Sequence, residues 1–233
     1  MKGGLLRIAE IFRSKQGEGF WTGIDSLFIR VSGCPLHCGF CDTAYASWKI
    51  DRAEELSCDQ ILARALAEET EHVVITGGEP MVQAGIVELT RRLSDQGRTI
   101  TIETAGIAAL PVKCDLMSIS PKRGNSTPMG APEEVIRRHE ALRDQKQIVR
   151  RLINDYPYQL KFVVNHPDEL NDIDDYLTAL GSVNSSRVCI MPMAVDITTM
   201  AEKLVWIRPY CRSRGFYYTS RMQLVWFGNR RGT

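Results

Sequence analysis

The sequence predicts an α/β fold, a partial, splayed (β/α)6-like barrel, on three observations. Short β-rich apolar segments alternate with stretches of helical periodicity, the pattern of a parallel sheet covered by helices. About six such units occur, too few for a closed eight-stranded barrel. The cysteine, glycine and charged motifs fall directly after strands, where such a sheet carries its functional residues.

Taken in order, residues 26–31 (Ser-Leu-Phe-Ile-Arg-Val) are β-rich and run straight into a cysteine loop. Ser57 with Gln60 three residues later is a capping box that opens the periodic stretch Ile61, Leu62, Ala65 and Leu66. Residues 72–76 read as a buried strand ending in Gly77-Gly78, and a helix follows through Ile86, Leu89 and Leu93 with Gly97 as its cap. Residues 99–103 and 116–120 are the next strands. The charged stretch 133–151 reads as one exposed helix with Pro132 in its first turn. A strand at 160–164, a helix near 168–180 and a strand at 188–191 continue the alternation. A last helix near 198–214 contains Pro209 and is expected to kink or end there. Residues 223–227 return to strand character.

Composition describes an ordinary globular enzyme and excludes several other classes. The 233 residues are 44% hydrophobic and 24% charged, which argues against disorder and for a single domain over 1–233. No apolar run approaches the roughly 18 residues of a membrane span. With 29 basic and 28 acidic residues the balance is near neutral, so no nucleic-acid partner is expected, and Arg221, Arg230 and Arg231 are too few to change that. Seven cysteines without a secretory h-region fit reduced thiols in a cytoplasmic protein.

Cys34, Cys38 and Cys41 form C-x3-C-x2-C with no fourth cysteine in the loop. Thiolates this close can wrap one iron–sulfur cluster, and three ligands leave one iron open, as catalytic metal sites do. A zinc site completed by His37 or Cys58 is the competing reading. Cys58, Cys114, Cys189 and Cys211 read as small buried hydrophobes. Gly77-Gly78-Glu79-Pro80 lets backbone approach a ligand and offers a carboxylate or carbonyl to an ammonium group. Glu103 at a strand end suits vicinal ribose hydroxyls, and Ser120-Pro121-Lys122 suits a ligand carboxylate. Lys161 reads either into the barrel interior or as an edge residue.

On Cys34, Cys38 and Cys41 with Thr76-Gly77-Gly78-Glu79-Pro80, the chain resembles the radical S-adenosylmethionine enzymes. The earlier array narrows this. Phe12, Ser14, Gln16-Gly17-Glu18-Gly19, Gly23, Phe28-Ile29-Arg30 and Cys41-Asp42-Thr43 make it similar to the 7-carboxy-7-deazaguanine synthases. The resemblance implies a barrel of the radical SAM type, a [4Fe–4S] cluster, S-adenosylmethionine and Mg²⁺. It implies 6-carboxy-5,6,7,8-tetrahydropterin as substrate, hydrogen abstraction at C6 by a 5′-deoxyadenosyl radical, and ring contraction with loss of ammonia. It assigns Cys34, Cys38 and Cys41 to the cluster and Thr43 to Mg²⁺. Phe40, Asp42, Gly78, Glu79, Glu103, Ser120 and Lys122 fall to the cofactor. Gln16, Gly17, Glu18, Arg30, Thr76 and Thr233 fall to the substrate. An electron donor such as flavodoxin or ferredoxin and a homodimer are expected on the same ground.

Two positions are less well matched. Met191-Pro192-Met193 stands where many members carry a Gln-Pro turn, and residues 228–233 either fold over the substrate or fray. A glycyl-radical-enzyme activase shares the cysteine spacing but gives no reason for residues 16–19 or Thr43. A non-catalytic iron–sulfur module has no need of Glu79 or Glu103 at strand ends.

Overall fold

The computed structural model describes residues 4–232. Strand β1 (Leu6–Lys15) runs antiparallel to β2 (Asp25–Val31), and the short β3 (Glu54–Leu56) pairs with β1 on its other side. From β2 onward the pairing is parallel and follows chain order: β4 (His72–Gly77), β5 (Thr99–Thr104), β6 (Leu116–Ile119), β7 (Tyr158–Val164), β8 (Val188–Pro192) and β9 (Tyr217–Tyr218). The sheet runs from β3 to β9, so it curls without closing: the partial (β/α)6-like barrel that the alternation predicts.

Connections carry α1 (Ala44–Ser47), α2 (Cys58–Leu66), α3 (Gly85–Asp95), α4 (Glu133–Arg143), α5 (Lys146–Asp155), α6 (Glu169–Leu180), α7 (Ile197–Arg214) and α8 (Met222–Phe227). The capping box at Ser57 and Gln60 is formed. One crossover departs from the alternation. Residues 105–115 join β5 to β6 without a helix, and Ala108, Ala109, Leu110 and Val112 pack on the core instead. Tyr156 OH donates to the Leu110 and Val112 carbonyls at 3.3 Å, which satisfies backbone a helix would have paired internally.

Other expectations need correction. The stretch 133–151 is two helices, broken between Arg143 and Lys146. Helix α7 runs through Pro209 to Arg214, with Pro209 exposed, so the carbonyl that the proline leaves unpaired can reach water. Residues 222–227 are helical, not a strand. Strand β1 is absent from the sequence expectations because its pairing register shifts between Ile8 and Glu10, which breaks the period-two signal.

From β2 onward the long strands divide their residues by period two. Leu27, Ile29 and Val31 of β2, Ile100 and Ile102 of β5, and Leu160, Phe162 and Val164 of β7 join the apolar core beneath the helices. Their alternates Phe28, Arg30, Glu103, Lys161 and Val163 line a central cleft. The apolar layer thus holds the helices while the concave face is left free to be polar.

Candidate active site

The cleft occupies about 480 Å³ at the carboxyl ends of the strands. Cys34, Cys38 and Cys41 all line it from the loop after β2. That loop is held by backbone: Gly33 N donates to Ala46 O at 2.7 Å, Cys34 N to Ser47 O at 3.0 Å, and Cys41 N to Cys38 O at 3.1 Å. Gly78 N donates to Val31 O and Glu79 N to Gly33 O, so the loops after β2 and β4 lie flush. Both glycines are required there. Gly77 sits at φ +116°, and a Cβ on Gly78 would meet Gly33 O at 2.0 Å.

Burial pushes the Cys34 thiol up to about 12, with Glu79 adding to the effect, and burial lifts Cys38 to about 11. A cationic iron centre would offset that cost by stabilising thiolates. Among the described residues no three His, Cys, Asp or Glu side chains converge on one point as a single ion needs. A four-iron cube is wide enough to be ringed by thiols lining a cleft. Cys58, the alternative fourth ligand, is buried under α3, with Sγ 3.7 Å from Gly85 O. Cys189 and Cys211 are buried as expected, while Cys114 is half-buried.

Thr43 occupies the N-cap position of α1, yet its side chain makes no capping bond; Oγ1 lies 3.9 Å from Cys41 Sγ and lines the cleft. Phe40, Asp42, Gly78, Ser120 and Lys122 line it as well. Lys122 Nζ donates to Ser120 O and Ser120 Oγ, both at 2.8 Å, so the two act as a unit. Glu103 accepts from Thr76 Oγ1 at 2.7 Å and Gln16 Nε2 at 3.3 Å. Glu79 is placed differently from the other acids. Fully buried, its carboxylate accepts from Thr104 Oγ1 at 2.7 Å, Ala105 N at 2.8 Å and Met81 N at 3.1 Å. Its side chain ties the β4 loop to the end of β5 behind the cleft wall.

The substrate-side residues converge too. Gln16, Gly17, Glu18, Arg30 and Thr76 line the same cleft, and Thr233 lies outside the described residues. Arg30 Nε meets Glu10 Oε1 at 2.6 Å, and Tyr45 OH donates to the same oxygen at 2.8 Å. Glu18 is gripped by Lys161 Nζ at 2.5 Å, Arg221 Nε at 3.3 Å and Gln223 Nε2 at 2.8 Å. Burial alone would raise the Glu18 carboxyl; the Lys161 and Arg221 charges and the Lys161 and Gln223 hydrogen bonds reverse this and hold it at about 2. Arg221 also pairs with Asp42, one residue beyond Cys41.

Lys161 faces the interior, which settles its two readings. Sequence reasoning missed Glu10, Tyr45, Arg221 and Gln223 as site residues. Arg221 and Gln223 stand two apart ahead of a glycine-ended tail, but nothing local points them at a loop 200 residues earlier. Residues 228–232 line the cleft, and Arg231 ion-pairs with Glu10 and Asp51 while stacking 3.8 Å from the Tyr45 ring centroid.

Comparison with known proteins agrees with this geometry. The radical SAM superfamily matches residues 28–156. A 7-carboxy-7-deazaguanine synthase of Rhodopirellula baltica is 41% identical over 230 residues, covering 98% of this chain and 89% of that one. One from Halobacterium salinarum is 35% identical, covering 96% and 91%. The crystal structure of QueE from Escherichia coli superposes with a TM-score of 0.73 over 93% of both chains at 24% identity, which speaks for the fold. The chain belongs to the radical SAM superfamily and, within it, to the 7-carboxy-7-deazaguanine synthase family.

Proposed function

We propose that this protein converts 6-carboxy-5,6,7,8-tetrahydropterin to 7-carboxy-7-deazaguanine with loss of ammonia. The observation that carries the reading is the convergence of three cluster-type thiols with Glu18, Arg30, Glu103, Lys122 and Thr43 in one cleft. When bound, the [4Fe–4S] cluster and S-adenosylmethionine supply a carbon-centred radical able to take a hydrogen atom from C6 of the pterin.

The chain's own residues bind and orient. The Gly77-Gly78 backbone offers carbonyls to the cofactor's ammonium group, with Glu79 positioning that loop from behind. Glu103 suits the ribose hydroxyls, and Ser120 with Lys122 suits the cofactor carboxylate. Phe40 and Asp42 flank the cofactor from the cysteine loop. Gln16, Gly17, Glu18 and Thr76 present acceptors and donors to the aminopyrimidinone edge. Arg30, already oriented by Glu10, pairs with the substrate carboxylate or a ring carbonyl. Thr43, whose hydroxyl the helix cap leaves unused, gives one oxygen to Mg²⁺, and the substrate carboxylate and waters supply the rest.

The chain works as one domain in a reducing compartment such as the cytoplasm, with electrons from a flavodoxin- or ferredoxin-type donor. Among the described residues no helix is long and apolar enough to cross a membrane. The test is anaerobic reconstitution with iron and sulfide, followed by incubation with the pterin and S-adenosylmethionine. The deazaguanine chromophore should appear, and deuterium placed at pterin C6 should return in S-adenosylmethionine. Cleavage of S-adenosylmethionine without chromophore would sink the substrate assignment.

A further inference from the structure

Among the residues that line the cleft, Ser47 has no part in the chemistry described so far. It ends α1, six residues beyond Cys41, and is 5% exposed. Its backbone is committed to the cysteine loop: its carbonyl accepts from Cys34 N at 3.0 Å, and its amide donates to Thr43 O at 3.1 Å. Its hydroxyl is committed as well. A helical serine ordinarily points to solvent or back-bonds to the carbonyl four residues earlier. Here burial removes the solvent, and Thr43 O already receives the Ala46 and Ser47 amides. The partner of Ser47 Oγ among the described residues is the Cys41 sulfur, 3.7 Å away and within hydrogen-bond reach of so large an atom.

Which atom donates depends on the state of Cys41. As a free thiol, Cys41 holds the proton and donates to Ser47 Oγ. A thiolate bound to iron has no proton to give and can only accept. The hydroxyl hydrogen, which rotates to suit its surroundings, then turns to the sulfur. Cys34 is served differently, by the backbone amide of Leu36. Thr43 Oγ1 stands farther from the Cys41 sulfur, at 3.9 Å, is less buried than Ser47, and its oxygen is the one assigned above to Mg²⁺.

We propose that Ser47 donates a hydrogen bond to the iron-bound Cys41 sulfur and thereby raises the reduction potential of the cluster. It acts through Cys41 and is not a catalytic residue. Reduction adds one negative charge, shared with the thiolate sulfurs, so a donor aimed at a sulfur stabilises the reduced state more than the oxidised one. Burial around Cys38 works the other way, because a low dielectric disfavours added charge. The inference rests on the three thiols holding the cluster and is independent of the substrate.

The experiment uses the full chain, reconstituted anaerobically, as wild type, Ser47→Ala, Ser47→Thr and Thr43→Ala. Alanine keeps the carbonyl that holds Cys34 and suits a helix end, so iron content should be unchanged. Potentials are read from the electron paramagnetic resonance of the reduced cluster, poised with dithionite and mediators. Ser47→Ala should weaken the equilibrium for reduction by about tenfold, which is about 59 mV for one electron. Ser47→Thr, which keeps the hydroxyl, should stay within about twofold of wild type. Resonance Raman should show the terminal Fe–S stretch rising in Ser47→Ala, since a hydrogen bond to the sulfur weakens that bond. Equal potentials in wild type and Ser47→Ala would overturn the proposal, and a shift confined to Thr43→Ala would hand the role to Thr43. Wild type also tests it alone: brief transfer to D₂O, before buried amides exchange, should move the terminal Fe–S band. No movement would overturn the proposal even if Ser47→Ala failed to assemble a cluster. The expected potentials without deazaguanine product would sink the substrate assignment and still support Ser47.

Discussion

Glu18 shows how one residue's surroundings decide its chemistry. A largely buried carboxylate with Lys161, Arg221 and Gln223 on it stays ionised and fixed in place. Arg221 is the member that also reaches Asp42 and donates to Ala194 O at 2.6 Å, joining three segments. Arg221→Ala should cost about 3 kcal/mol of stability, the usual effect of breaking a buried pair, and should raise KM for the pterin while leaving the cluster absorbance intact. Arg221→Lys should recover little, since an ammonium cannot fork to two carboxylates. Normal KM in Arg221→Ala would remove Arg221 from the site. Thr43 carries a second prediction at this scale. Thr43→Ala should lose most of the Mg²⁺ stimulation and Thr43→Ser should keep it, with metal and pterin raising each other's affinity by a common factor. An unchanged metal titration in Thr43→Ala would return the residue to a structural role at the head of α1.

Strands set what each element contributes, and their inward rows are unusually polar below the cleft. His72 at the start of β4 lies 2.7 Å from Ser26 Oγ on β2 and 2.8 Å from Thr101 Oγ1 on β5, and Gln159 on β7 donates to Ser118 Oγ on β6 at 2.8 Å. Burial draws the His72 imidazole down to about 4 from 6.5. The folded state keeps it neutral where the unfolded chain would already bind a proton. Stability is therefore fully present above about pH 6.5, falls as the pH drops towards 4, and loses no more from this group below that. The loss is on the order of 3 kcal/mol. Urea unfolding across this window should show the slope in wild type and a shallower one in His72→Gln, with some slope remaining from the buried His139, whose pKa burial also lowers. Equal slopes would assign the acid sensitivity to other groups.

For the molecule as a whole, the first strand and the last described residues meet at the mouth of the cleft. The tail reaches Glu10 and Asp51 through Arg231, which also covers Tyr45. Arg231 is 41% exposed and Asp51 is exposed too, so solvent screens their pair and the tail is held only weakly. Arg231→Ala should leave the melting temperature nearly unchanged, yet speed proteolytic trimming of residues 228–232 and raise KM for the pterin several-fold. Wild-type trimming and wild-type KM in the variant would show that the tail does not shape the cleft.

How much of this was legible depends on how far apart in sequence the interacting residues are. Cys34, Cys38 and Cys41 share one loop and Ser57 and Gln60 one helical turn, so local spacing exposes them, while Lys161 stayed open between two readings until the fold placed it. The carboxyl-end placement of the motifs followed from the alternation of strands and helices. Only the fold joined Glu18 to Lys161 across 143 residues, to Arg221 across 203, and Arg231 to Glu10 across 221, since no local pattern encodes such contacts. Tertiary context also turned the β-rich residues 222–227 into a helix and left the β5–β6 crossover without one. It directed the Glu79 carboxyl into the wall and not the cleft, where three donors pair its oxygens although burial still pushes its pKa up.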